Sequence, residues 1–133
     1  MLLTGCSETT NNVYKFTGES EHWEAEYSYN GTEKWGEKDG IKTYSTEDDY
    51  KFVLKFKGSL EELSSLQIIE YSYETNHSGG KGTEQFTEPP QTVIFSSSGG
   101  SKGGAKVGED EVILVNVKWD DFEESFKLHN NSK

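Results

Sequence analysis

The chain has 133 residues, 24 acidic against 13 basic, for a formal net charge of −11. Every basic residue is a lysine, so the guanidinium fork that reads guanine and grips phosphate is missing, and a field of this sign is repelled by a nucleic-acid backbone, which excludes nucleic-acid binding. The length fits one domain, and 31% hydrophobic residues beside 13% aromatics suit a small β protein with large rings in its core.

The first segment reads Met-Leu-Leu-Thr-Gly-Cys-Ser. Leu3-Thr4-Gly5-Cys6 sets two small residues before the single cysteine of the chain, which excludes an internal disulfide. A polar run over 7–12 follows and reads as a tether. Leu3 to Cys6 resembles the lipobox of bacterial lipoproteins. Together with the lysine-only basic set, the β pattern below and the closing Asn-Asn-Ser-Lys, the whole chain loosely resembles small lipobox-containing lipoproteins of Bacillus-type Gram-positive bacteria. The resemblance implies a diacylglycerol on Cys6 and a domain on the outer face of the cell membrane; two acyl chains suffice for stable anchoring. A signal peptide needs a basic start and an apolar run of about 7–15 residues. The reading frame is therefore expected to continue upstream by about 12–20 residues. No stretch approaches the roughly 20 apolar residues of a membrane-spanning helix.

Beyond the tether, strand patterns dominate. Tyr14 and Phe16 suggest a short first strand. Trp23, Ala25, Tyr27 and Tyr29 alternate with polar residues, and Asn30-Gly31 is the pair favoured in a type I′ hairpin turn. Residues 32–38 then read as the returning strand, and Asp39-Gly40 as a second turn into 41–45. Tyr50, Phe52, Leu54 and Phe56 alternate cleanly. Ser59 and Glu62 have capping-box spacing, predicting one or two helical turns near 59–65. Strands follow at 68–73, at 92–96 behind the edge-marking Pro89-Pro90, at 111–119, and at 122–128 after an Asp120-Asp121 turn. Two segments rich in Gly and Ser, 76–82 and 97–108, read as flexible loops. Glu-Tyr-Ser-Tyr occurs twice, at 26–29 and 70–73, each copy followed by Gly-Thr-Glu; similar environments on two strands explain this better than duplication.

The expected fold is all-β: a single antiparallel β-sandwich of about eight strands, immunoglobulin-like in its first reading and an open barrel in its second. Residues 1–12 form the signal remnant, lipobox and tether, 13–129 the sandwich, and 130–133 a tail.

Function is less legible. Ala105 stands where a phosphate loop needs lysine. His22, His77 and His129 lack metal-helix spacing, and no G-x-S-x-G elbow occurs. Acidic groups at 47–49, 109–111 and 120–121 are better read as solubilising flanks than as calcium loops. Tyr27, Tyr29, Tyr71 and Tyr73 are the candidate binding residues, as an exposed face that stacks on a glycan or anchors a protein partner. The expectation is a non-enzymatic interaction module, needing no cofactor or metal and anchored to the membrane through Cys6. The alternative is a small cell-envelope hydrolase using acidic residues.

Overall fold

A computed structural model describes residues 8–76, 78–102 and 107–131, with the backbone alone at 101 and 102. Among these residues the chain is all-β, with eight antiparallel strands: β1 (Glu8–Glu19), β2 (Trp23–Lys38), β3 (Ile41–Phe56), β4 (Ile68–Glu74), β5 (Gly79–Gln85), β6 (Ile94–Lys102), β7 (Ile113–Trp119) and β8 (Phe122–Asn130). They form one sheet, β5-β4-β7-β8-β1-β2-β3-β6, curled into a nearly closed barrel. The immunoglobulin-like sandwich is not confirmed, because the strand order runs continuously from one edge to the other. The join between the halves is narrow: β1 meets β8 through Phe16↔Asn130 and Thr17↔His129. Gly18 permits the crossing, since a Cβ there would stand 2.1 Å from the Lys127 carbonyl oxygen. The capping box forms as expected around a 3-10 turn, Glu61–Leu63: Ser59 N donates to Glu62 Oε1 at 3.1 Å, and Glu62 N to Ser59 Oγ at 3.3 Å.

Several sequence boundaries are corrected. β1 begins at Glu8 and pairs with β2 from Glu8↔Trp35 onward, so 8–12 are strand rather than tether. Asn130 belongs to β8, and Asn131 N bonds the Lys15 carbonyl at 2.8 Å, so the barrel reaches into the expected tail. Asn30-Gly31 is no turn; β2 runs through it. The turn at Asp39-Gly40 does form, with φ of 53° and 77°. Most of the two expected glycine loops is strand: 79–82 lie in β5 and 97–102 in β6.

Those glycines have a steric role. A Cβ on Gly80 would meet Tyr73 Oη at 2.3 Å, and one on Gly82 would meet Tyr71 Cζ at 2.4 Å. Gly99 stands in the same relation to Tyr50, and Gly31 to Tyr29, with Oη at 2.8 and 2.7 Å. Three are cross-strand pairs, Tyr71↔Gly82, Tyr73↔Gly80 and Tyr50↔Gly99. The ring covers the bare backbone of its partner, the arrangement that compensates glycine in a sheet. A narrow barrel lined with rings needs such vacant positions, and this accounts for the repeated Tyr…Gly pattern of both Glu-Tyr-Ser-Tyr segments.

Side chains from β4 and from just after β5 reach across to edge strand β6. Tyr71 Oη donates to the Ser96 carbonyl at 3.1 Å, Tyr73 Oη and Ser97 Oγ are 2.9 Å apart, and Phe86 meets Phe95 edge-on at 6.3 Å. The strands also fix two ends. The connections at 20–22, 57–67 and 120–121 gather at one, called the rim. The other carries the start of β1 and the β2–β3 hairpin, where 16-residue strands outrun the 7-residue β4 and β7.

Candidate functional site

The tyrosine face expected from the sequence does not exist. Tyr27, Tyr29, Tyr71 and Tyr73 are 2, 2, 7 and 2% exposed. All four point into the barrel, where Tyr27 stacks on Tyr50 and Tyr73 on Phe52 with centroids 5.0 and 4.4 Å apart. They cannot present a stacking surface to a glycan or protein. The reason lies in register: in β2 and β4 the tyrosines share the face of Trp23, Ala25 and Ile69, which fill the core. Burial raises Tyr27 above the ordinary phenol value, pushes Tyr29 up to about 12 with Asp48 adding to it, and pushes Tyr50 up to about 12 with the Tyr73 hydroxyl adding to it. Cys6 and His77 lie outside the described residues.

The acidic groups do more than flank strands. Asp48 accepts a hydrogen bond from Tyr29 Oη at 3.1 Å. Glu33, buried on the inner face of β2, accepts from Asn12 Nδ2 and Tyr44 Oη, both at 3.2 Å. Asp120 Oδ1 accepts from Gln67 N and Ile68 N at 3.0 and 3.2 Å, tying the β7–β8 turn to the start of β4. Glu111 is buried and accepts from Asn76 N. These carboxylates are occupied by structural bonds.

At the rim, side chains converge that the sequence leaves far apart. The β1–β2 turn, closed by Ser20 N to the Trp23 carbonyl at 2.7 Å, carries Glu21 and His22. Strand β8 brings Glu124 beneath it. Glu124 Oε1 accepts from Ser20 Oγ at 2.5 Å and from His22 N at 3.0 Å, and Oε2 pairs with His22 Nδ1. The His22 ring lies 5.8 Å from that of Trp119, which stacks on Phe122 at 5.4 Å. One donor atom each from Glu21, His22 and Glu124 fall within 4.8 Å of one another. Two carboxylates and an imidazole suit a borderline divalent cation such as Zn²⁺ or Mn²⁺ better than Ca²⁺, which prefers an all-oxygen shell. Bonds from Ser20 and the His22 amide fix one Glu124 oxygen and turn the other toward the imidazole, as outer-shell partners do for metal ligands.

The electrostatics favour the carboxylate as a ligand and require the imidazole to give up a proton when a cation binds. The hydrogen bond to Glu124 raises His22 above its ordinary value, with the charges of Glu124, Glu21 and Glu62 adding to it and desolvation opposing it. Partial burial works to raise Glu124, but hydrogen bonds from Ser20 and His22 outweigh it and hold the carboxyl below its ordinary value. Glu124 therefore remains an anion where a cation needs one. Sequence spacing could not show this group, because Glu124 lies 102 residues from His22; the only local signal was a polar turn between two strand patterns.

Three depressions of about 320, 420 and 220 Å³ lie on the outer surface, over β4-β7-β8, β1-β2-β3 and β4-β5-β7. None is lined by His22 or Glu124. Comparison with protein-family models, curated proteins and solved structures finds no match in any of the three, so the geometry alone carries the functional reading.

Proposed function

We propose that the chain is an extracytoplasmic β-barrel module, held on the outer face of the cell membrane by lipid on Cys6, that binds without catalysing a reaction. Its ligand-facing part is the rim, where Glu21, His22 and Glu124 hold a divalent cation and leave coordination positions for the oxygens of a ligand. The observation that carries the reading is the convergence of those three donors within 4.8 Å. The Leu3 to Cys6 motif supports the anchor.

The pairing of His22 with Glu124 favours a second reading, an envelope hydrolase in which the imidazole is a base oriented by the carboxylate. Against it, Ser20 Oγ donates to the carboxylate, and among the described residues no side-chain hydroxyl is bonded to the imidazole.

Calorimetric titration with Zn²⁺, Mn²⁺ and Ca²⁺ tests the binding. One Zn²⁺ or Mn²⁺ is expected per chain, with affinity reduced about 10-fold or more in His22→Ala and Glu124→Gln. Titrations without saturable heat for any of the three ions remove the cation from the account. Turnover of peptidoglycan or peptide substrates, abolished in Glu124→Gln, would establish the hydrolase instead. The anchor is checked by fatty-acid labelling in cells, which Cys6→Ala should abolish.

A further inference from the structure

The far end of the barrel has the character of a surface made for an interface. The β2–β3 hairpin exposes Trp35 (38%), Tyr44 (54%) and Ile41 (69%). Trp35 and Tyr44 face each other across the hairpin, ring centroids 5.3 Å apart, and Ile41 stands beside the Asp39-Gly40 turn. By register Lys42 shares the face of the two rings, while Ile41, Lys34 and Lys38 lie on the other face of the hairpin, Lys34 at 3.9 Å from Glu47. Residues 34–44 hold three lysines against two acids, Glu37 and Asp39, in a chain of net charge −11. The rim is more acidic, with Glu19, Glu21, Glu61, Glu62, Asp120 and Asp121 at or beside its turns and Lys57 paired with Glu19.

Chain length says what lies next to this hairpin. Glu8, the first residue of β1, is paired with Trp35. Cys6 precedes it by two residues, so its Cα is at most about 7 Å away, and a cross-strand pair adds about 5 Å. That reach is comparable to the depth of one headgroup layer, about 5–8 Å. A lipid on Cys6 therefore holds Trp35 within about 12 Å of the anchored residue, at or close to the bilayer surface. Tryptophan and tyrosine, with an apolar body and a polar tip, collect at that depth, and lysines beside them keep their ammonium groups among the phosphates.

We propose that the tip of the β2–β3 hairpin is the membrane-contacting surface of the protein, seated in the headgroup layer of a phospholipid bilayer beside the acylated Cys6. The proposal rests on the lipid-anchor reading above and adds an orientation to it: hairpin in the interface, acidic rim outward.

The test bypasses cellular acylation. The unacylated full chain is coupled through Cys6, its only thiol, to a maleimide-headgroup lipid in phosphatidylcholine vesicles containing lipids brominated near the headgroup. Trp23 and Trp119 are buried in the protein, so quenching of tryptophan emission should report Trp35. Strong quenching is expected for the anchored wild type, loss of that quenching in Trp35→Phe, and weaker quenching in Ile41→Ser, a substitution outside the core. Anchored wild type without quenching, or quenching unchanged in Trp35→Phe, overturns the proposal. Failure of the anchor itself reads out separately, as absent fatty-acid labelling of Cys6 in cells while the vesicle result stands.

Discussion

Gly80 and Tyr73 face each other across β4 and β5, and the ring takes the space a side chain on Gly80 would need. Gly80→Ala should therefore cost about 1–3 kcal/mol by overpacking, although alanine is ordinarily the better residue in regular structure. Urea unfolding measures it. A Gly80→Ala protein as stable as wild type would mean that the ring does not lie over this glycine. The tyrosines also make stability depend on pH at the alkaline end. The folded values of Tyr27, Tyr29, Tyr50 and Tyr71 lie above the ordinary 10.0, Tyr29 and Tyr50 at about 12. The stabilisation is fully present below about pH 10 and is lost as pH rises through the folded values, because the unfolded chain gives up these protons first. The share of phenolate absorbance that belongs to Tyr27, Tyr29, Tyr50 and Tyr71 should thus rise together with unfolding rather than ahead of it. Early, reversible ionisation of all seven tyrosines in a folded protein would contradict the burial.

At the level of elements, β7 was the most legible part of the fold. Ile113, Val115, Val117 and Trp119 alternate without interruption and are all buried. Val115→Ala should destabilise by about 1–3 kcal/mol, through lost transfer energy and a small cavity. The second half of β3 and the first half of β2 were legible for the same reason. Gly31 misled because Asn-Gly is a strong turn signal, whereas here the glycine makes room for the Tyr29 ring within a continuous strand. β5 and the glycine-rich half of β6 were hidden because periodicity is read from side chains, and their inward positions include Gly80, Gly82 and Gly99, which have none. What fills those positions comes from other strands, as pairing information that no local window holds. Hydrogen exchange separates the two descriptions: about every second amide of β6 should be protected by its bonds to β3, and uniformly fast exchange would restore the loop. The candidate site was illegible in the same way, since Glu21 and His22 are adjacent but Glu124 arrives only through the placement of β8 beside β1.

As a whole molecule the barrel has two unlike ends, separated by the length of β1, 12 residues or on the order of 40 Å at strand rise. One end adjoins Cys6 and carries exposed rings and lysines; the other is acidic and carries the three-donor cluster. Charge alone would draw cations to many places on a chain of −11, so bulk affinity decides little and location decides the matter. The most direct test is amide NMR of the full-length chain with substoichiometric Mn²⁺, whose unpaired electrons broaden nearby signals. The account predicts broadening centred on residues 19–24, 56–62 and 119–124, which meet at the rim, absent in His22→Ala, with residues 34–44 and the acidic stretch at 47–49 left sharp. Broadening spread over the acidic surface, or centred on 47–49, would contradict it.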